Sequence, residues 1–214
     1  MDVWDPAIRD IGDPVLRELA AGGDLRRFPK GSLIIREHDP GGSLFVLLAG
    51  KVKVYVSDAQ GREMVLGHYE PVSYVGELAL DGRPRSASVC AQEPTLCSEV
   101  SWERLRSAVG ARPEIALRML VTLIERQRHT TGNLKNLALM DVYGRIARLL
   151  LELEYVEERG ASWSRERLTQ QEIASRVGAS RDMVGRILKD LRAGGYIEQR
   201  EKRFRILRRP PARW

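Results

Sequence analysis

Cysteine is nearly missing from this chain, with only Cys90 and Cys97 among 214 residues. Two thiols cannot build the disulfide framework of a small secreted domain, nor supply the four ligands an iron–sulfur cluster usually takes. Both sit in strand-like runs and read as packing residues. Histidine is almost as scarce: His38, His68 and His129 are scattered, so no metal or haem site is expected. Long apolar runs are absent as well, none approaching the roughly 20 residues of a membrane helix. The opening MDVWDPAIRDIGD has neither the basic start nor the apolar stretch of a secretory signal. A cytoplasmic chain without membrane contact is the expectation.

What is present is ordinary for a globular protein, 43% hydrophobic and 30% charged, with length enough for one large domain or two smaller ones. The charge is unevenly spread. Residues 1–142 hold 18 Lys/Arg against 19 Asp/Glu, whereas residues 143–214 hold 17 against 10. A near-neutral part joined to a basic part suggests a domain facing a polyanion, although a solvated basic face gives the same count.

Between residues 24 and 100 the chain is a series of short strand signals: SLIIRE, LFVLLAG, KVKVYV, EMVLGHY, SASVCA and TLCSEV. Val52, Val54 and Val56 alternate with Lys51, Lys53 and Tyr55, the period of a half-buried strand. DPGG, DAQGR and DGRP separate the runs with turn chemistry. Many short strands at this spacing predict a small antiparallel barrel or jelly roll. PVLRELAAGG, just before them, reads as a short helix stopped by glycines.

Beyond residue 100 the period becomes helical. Ser101 can cap a helix over WERLRSAV, and Pro113 suits the first turn of a longer one. Leu117, Leu120, Ile124, Gln127, Thr131, Leu134 and Ala138 form a heptad seam with polar residues at its middle. A helix packed on its own barrel explains such a stripe, and a paired coiled coil that makes a homodimer explains its length better. Asp141 is placed to cap a further helix over VYGRIARLLLELEYVEE, and RGASWSRERL (159–168) reads as a polar connector.

Thr169 followed three residues later by Glu172 is a capping box that opens the helix QQEIASRV, with Ile173 and Val177 on one face. Gly178 permits a left-handed turn, and Ser180 can cap RDMVGRILKDL, where Met183, Ile187 and Leu191 are expected to face inward. Two short helices about such a turn form a helix-turn-helix, and YIEQ and RFRIL about REKR would add a wing. Arg181, Asp182 and Arg186 can share a groove-facing side: arginine donates two hydrogen bonds to guanine, and a carboxylate accepts one from cytosine. Lys189, Lys202 and Arg203 suit phosphates, which add affinity without sequence information. The competing reading is a helical hairpin with a solvated charged face.

GELALDGRPRSASV (76–89) sets Glu77 and Arg85 about a glycine-containing turn, which by itself is either a phosphate cradle or a charged loop between strands. Together with TTGNLKNLALMDVYGRIARLL and TQQEIASRVGASRDMVGRILKDL, it makes the chain resemble the Crp/Fnr family of bacterial transcription regulators, over residues 20–209. The resemblance implies an α+β homodimer: a cyclic-nucleotide-binding jelly roll (1–110), a dimerisation helix (111–141) and a winged helix-turn-helix (142–214). It implies cAMP as effector, with Glu77 accepting the ribose 2′-hydroxyl, Gly76 offering a backbone N–H, and Arg85 and Ser86 holding the phosphate. Thr130 and Thr131 match hydroxyl residues that meet adenine, the second from the opposite subunit. It further implies a two-fold symmetric double-stranded DNA operator and an RNA polymerase contact. A phosphodiester anion does call for a forked, charge-assisted donor beside backbone donors.

Three positions depart from the family pattern. The link from Glu77 to Arg85 is one residue short of GELAL-x-x-G-x-PR, Val72 stands where a turn glycine is frequent, and Asp182 replaces a usual glutamate. The first two bear on cradle geometry and the third shortens a base-reading side chain. Two rival readings stand beside cAMP: another effector such as cyclic di-GMP, or a nucleotide-binding module that does not read DNA. An enzyme is not expected, because Arg85 and Ser86 have no general base or metal cluster beside them.

Overall fold

The computed structural model describes residues 6–158 and 160–211. Residues 1–5 of the opening, Arg159 of the connector and residues 212–214 lie outside that range. Contacts divide the chain into two compact units, residues 1–58 with 65–128 and residues 59–64 with 129–214.

The first unit begins with α1 (Pro6–Arg9) and α2 (Pro14–Ala21). Asp13 caps α2 by accepting the amides of Val15 and Leu16 at 2.9 and 3.2 Å, and Pro14 costs nothing at a position whose N–H has no helical partner. Eight strands follow: β1 (Asp24–Phe28), β2 (Leu33–Ile35), β3 (Ser43–Ala49), β4 (Val52–Ser57), β5 (Glu63–Tyr69), β6 (Ser73–Val75), β7 (Ser88–Ala91) and β8 (Thr95–Ser101). They form two four-stranded sheets, ordered β1-β8-β3-β6 and β2-β7-β4-β5, which is the jelly roll the turn spacing predicts.

Strand β3 explains its own unbroken apolar run. Leu44, Val46 and Leu48 face a core shared with Leu16 and Leu19 of α2, while Phe45 and Leu47 face the barrel interior with Ile35, Val89 and Cys97. Both faces are buried, so no polar alternation survives. Strands β1 and β6 escape a sequence reading for the opposite reason. Four of the five residues of β1 are exposed, and β6 is only three residues long. Ser101 caps α3 (Trp102–Ala111), accepting from Arg104 N at 3.3 Å, and α4 (Glu114–Leu139) starts just after Pro113. Ile115 and Met119 bury the beginning of α4 in the core beside α2.

In the second unit Asp141 accepts the Gly144 amide at 2.7 Å and opens α5 (Val142–Glu152). The helix expected to run through VYGRIARLLLELEYVEE therefore stops early. Leu153 is extended, Tyr155–Glu158 form β9, and the connector contributes β10 (Ala161–Ser164) paired to it. The Tyr155 hydroxyl donates back to Leu150 O at 2.6 Å, which ties the hairpin to the end of α5. Next come α6 (Gln170–Val177), α7 (Arg181–Ala193), and the wing of β11 (Ile197–Arg200) and β12 (Arg203–Ile206). The capping box of Thr169 and Glu172 is formed, and Gly178 takes φ 62° between the two helices.

The inward face of α7 differs from the expected one. Val184, Leu188 and Leu191 are buried, whereas Met183 is 43% exposed and Ile187 lies at the margin. The 184, 188, 191 spacing makes the continuous stripe against Ile173 and Val177 of α6. No helix among the described residues is long and apolar enough to cross a membrane.

Candidate nucleotide cradle and DNA-reading surface

Gly76 ends β6 and opens a 3-10 turn over Glu77–Asp81, itself closed by Gly82 at φ 80°. Gly76 has φ 89°, and a Cβ there would stand 2.7 Å from Arg85 Nη1 and 2.9 Å from the Ile35 side chain. Glycine is required twice, for its backbone and for the space. The short link does not strand Arg85. Its amide donates to Asp39 O and its carbonyl accepts from His38 N, both at 2.9 Å, so the backbone is held from both sides. Arg85 is only 7% exposed and Glu77 8%. Arg85 Nη1 donates to Gly76 O at 2.8 Å, so the two charged side chains come together at this glycine.

A residue the sequence reading missed completes the cluster. Arg126 of α4 donates from Nη1 to Glu77 Oε1 at 2.8 Å and from Nη2 to Tyr74 O at 2.5 Å. Its guanidinium lies over the rings of Tyr69 and Tyr74, at 4.4 and 4.8 Å from their centroids. The Tyr74 hydroxyl donates to Met119 O at 3.0 Å, fixing that ring against α4. Position 126 falls off the apolar seam, and nothing local in the sequence pairs it with an acid 49 positions earlier. The clue lay in two tyrosines just before the cassette, Tyr69 and Tyr74, a face suited to a cation.

The other expected ligand residues are less enclosed. Ser86 is exposed next to buried Arg85, and Thr130 and Thr131 are exposed on α4 within the second compact unit. Burial pushes the Arg85 guanidinium below its ordinary pKa, against the opposing pull of Glu99, Glu77 and Asp39. It stays a cation, as arginine does in proteins. Burial also pushes the Cys97 thiol up to about 12, so it is an inert packing group.

One end of the barrel beside Arg85 opens as a cleft of about 520 Å³, bordered by Asp24, Arg26, Asp39, Ser43 and Glu99. A buried guanidinium with donors left over, beside an acid with one oxygen engaged, can hold a sugar phosphate.

The second surface is α7. Ser180 Oγ accepts the Met183 amide at 3.2 Å, so the helix starts at Arg181. Arg181, Asp182, Arg186 and Lys189 are all exposed and meet no hydrogen-bond or ion-pair partner among the described residues. Lys202 is exposed at the wing turn with φ 66°. Arg203 is placed otherwise than a phosphate arm: Nε donates to Ser164 O at 2.6 Å and Nη1 to Glu158 at 2.7 Å. It clips the wing to the β9–β10 hairpin. Arg145 is a further side chain the sequence did not mark. It donates to Val177 O and Met140 O, both at 2.8 Å, and so ties α5 to the helix-turn-helix corner.

A jelly roll with a nucleotide cradle, followed by a winged helix-turn-helix with unengaged cations on its second helix, defines a ligand-responsive DNA-binding regulator. Residues 25–111 match the cyclic nucleotide-binding domain family, and residues 144–210 match the Crp-like helix-turn-helix domain family. The chain is 34% identical over 183 residues to the cAMP-activated global transcriptional regulator CRP of Pasteurella multocida, covering 84% of this chain and 88% of that protein. It is 37% identical over 174 residues to the CRP-like cAMP-activated global transcriptional regulator of Mycobacterium tuberculosis, covering 79% and 78%. Among solved structures it resembles the c-di-GMP responsive global regulator CLP of Xanthomonas campestris, with TM-score 0.81, 30% identity, and 90% and 97% of the two chains covered. The chain belongs to the Crp/Fnr family and is a cyclic-nucleotide-binding, DNA-binding transcription regulator.

Proposed function

We propose that the effector is cAMP and that its binding switches affinity for a two-fold symmetric operator. The observation that carries this reading is the buried cluster in which Arg85 and the Glu77–Arg126 pair meet around Gly76. In it Arg85, with Ser86 beside it, takes the cyclic phosphate. Glu77 has Oε1 on Arg126 and offers Oε2 to the ribose 2′-hydroxyl. Thr130 and Thr131 meet the base, Thr131 from the second subunit.

Residues 1–110 serve as the nucleotide-binding domain, 111–141 as the dimerisation helix and 142–214 as the DNA-binding domain. Leu117, Leu120, Ile124 and Leu134 are exposed along α4, which supports pairing of two such helices. A ligand held by both subunits couples its binding to the arrangement of the dimer, and the joint at Asp141 passes that change to the helix-turn-helix. Arg181, Asp182 and Arg186 read bases, and Lys189 and Lys202 bind phosphates, with Arg203 free to do so only if its clip opens. The regulator works in the cytoplasm and contacts RNA polymerase.

Isothermal titration with cAMP, cyclic GMP and cyclic di-GMP tests the effector. Heat with cAMP that is lost in Arg85→Ala is expected. Binding of cyclic di-GMP alone gives the effector role to that nucleotide, to which the Xanthomonas relative is responsive.

A further inference from the structure

The phosphate arginine has a polar support on the barrel side. Arg85 Nη2 donates to Ser43 Oγ at 3.4 Å, and Ser43 Oγ donates in turn to Glu99 Oε1 at 3.0 Å. A hydroxyl has one proton to give, so the chain has a single sense, from guanidinium through hydroxyl to carboxylate. The other oxygen of Glu99, Oε2, accepts from Arg26 Nε at 2.8 Å. Arg26, Glu99 and Ser43 lie on the adjacent strands β1, β8 and β3, where Arg26 pairs with Cys97 and Glu99 pairs with Phe45. All three therefore lie on the same side of the sheet as Phe45 and Cys97 and border the open cleft beside Arg85.

We infer that Glu99 and Ser43 are positioning residues for the ligand, holding the Arg85 guanidinium at a fixed tilt so that its remaining N–H donors face the anion. This rests on the cyclic-nucleotide reading of the cradle. Two of the five Arg85 N–H groups are used on Gly76 and Ser43 among the described residues, which leaves three for a phosphate. Without the carboxylate, a long flexible side chain regains rotamer freedom, and a forked contact that depends on orientation suffers most. Burial of Arg85 makes a nearby negative charge matter more, and Glu99 is the first of the acids acting on it. Arg26 keeps Glu99 from collapsing onto Arg85 as a closed ion pair, which would consume the donors the ligand needs.

The test compares Glu99→Gln and Ser43→Ala with the unaltered full-length protein, in two arms. In the ligand-free protein, nitrogen-15 NMR follows exchange of the Arg85 Nη2 protons, which Ser43 holds, with water. Slow exchange in the unaltered chain, accelerated at least tenfold in both variants, is expected. Unchanged exchange overturns the inference. In the second arm, titration with cAMP and with its two phosphorothioate diastereomers reads the geometry of the phosphate contact. About tenfold weaker cAMP binding is expected, with the ratio of the two diastereomers moving towards one while the melting temperature stays put. Weaker binding with that ratio intact marks a merely structural role and overturns the positioning assignment. Absence of cAMP binding by the unaltered protein overturns the effector reading instead, and the exchange arm alone then decides the network. Ser43→Ala serves should Glu99→Gln lower the melting temperature, since it breaks the same chain and leaves the Arg26–Glu99 pair in place.

Discussion

Half-buried Arg126 and buried Glu77 form an ion pair, 2.8 Å from Nη1 to Oε1, that joins the long helix to the start of the nucleotide cassette. Breaking a buried pair by removing one partner leaves a charge without compensation and costs about 3–5 kcal/mol. Arg126→Ala is therefore expected to lose stability on that scale in urea unfolding. Glu77→Gln added to it recovers part of the loss, because the stranded charge goes. The same double variant is not expected to regain nucleotide affinity, since Glu77 is the group proposed to take the ribose hydroxyl. Equal stability of Arg126→Ala and the unaltered chain refutes this account.

Val72 has φ 70°, in the left-handed region a β-branched side chain rarely enters, and it is exposed. Strain of this kind costs about 1–3 kcal/mol, while glycine gives back about 0.5–1 kcal/mol through its freer unfolded chain. Val72→Gly is expected to gain about 1 kcal/mol and to raise the melting temperature by about 2–4 °C. A lower melting temperature would show that the side chain contributes packing that outweighs the strain.

Asp13 supplies a pH dependence with a definite sign. Burial alone would raise its carboxyl, but bonds from Arg118 and the amides of Leu16 and Val15 outweigh that and hold it below its ordinary 3.8. A lowered folded pKa gives stability that is fully present above the unfolded value and is lost as pH falls through the folded one. The stability difference between the unaltered chain and Asp13→Asn should be flat from pH 7 to about 5 and shrink below about pH 4. A difference that grows towards acid contradicts the assignment. Salt should weaken it only in part, because the Arg118–Asp13 contact, at 2.7 Å, leaves the carboxylate mostly buried.

Legibility in the sequence tracked how local each cause is. Caps at Ser101, Asp141, Thr169 and Ser180 involve groups within three residues of one another, and all four are formed where the sequence puts them. The left-handed turn at Gly178 and the jelly-roll strands rich in branched residues were readable for the same reason. β1 was not, because a strand paired on one edge with its side chains in solvent carries no apolar alternation. β9 and β10 were hidden by a polar run whose partner is the wing, and Arg203 holds them there across 39 and 45 positions. In the cradle, Glu77 and Arg85 were marked only through the family resemblance of their stretch, and Arg126, Ser43 and Glu99 come from three other elements. Long-range polar pairs leave no period to read.

The two kinds of cation on and beside α7 predict different losses. Arg186 is exposed one turn into the helix and meets no partner among the described residues, so it can donate both bonds of its fork to a base edge. Arg186→Ala should cost about 1–3 kcal/mol on the preferred operator and little on random duplex, flattening the preference at one base pair. Lys189 and Lys202 offer point charges without a fork. Replacing either by alanine should weaken all duplexes alike and reduce the slope of log affinity against log salt by about one. Binding measured over a set of single-base operator variants at several salt concentrations separates the two patterns. If Arg186→Ala weakens every variant equally while Lys189→Ala changes sequence preference, the roles are exchanged and the helix lies in the groove on a different face.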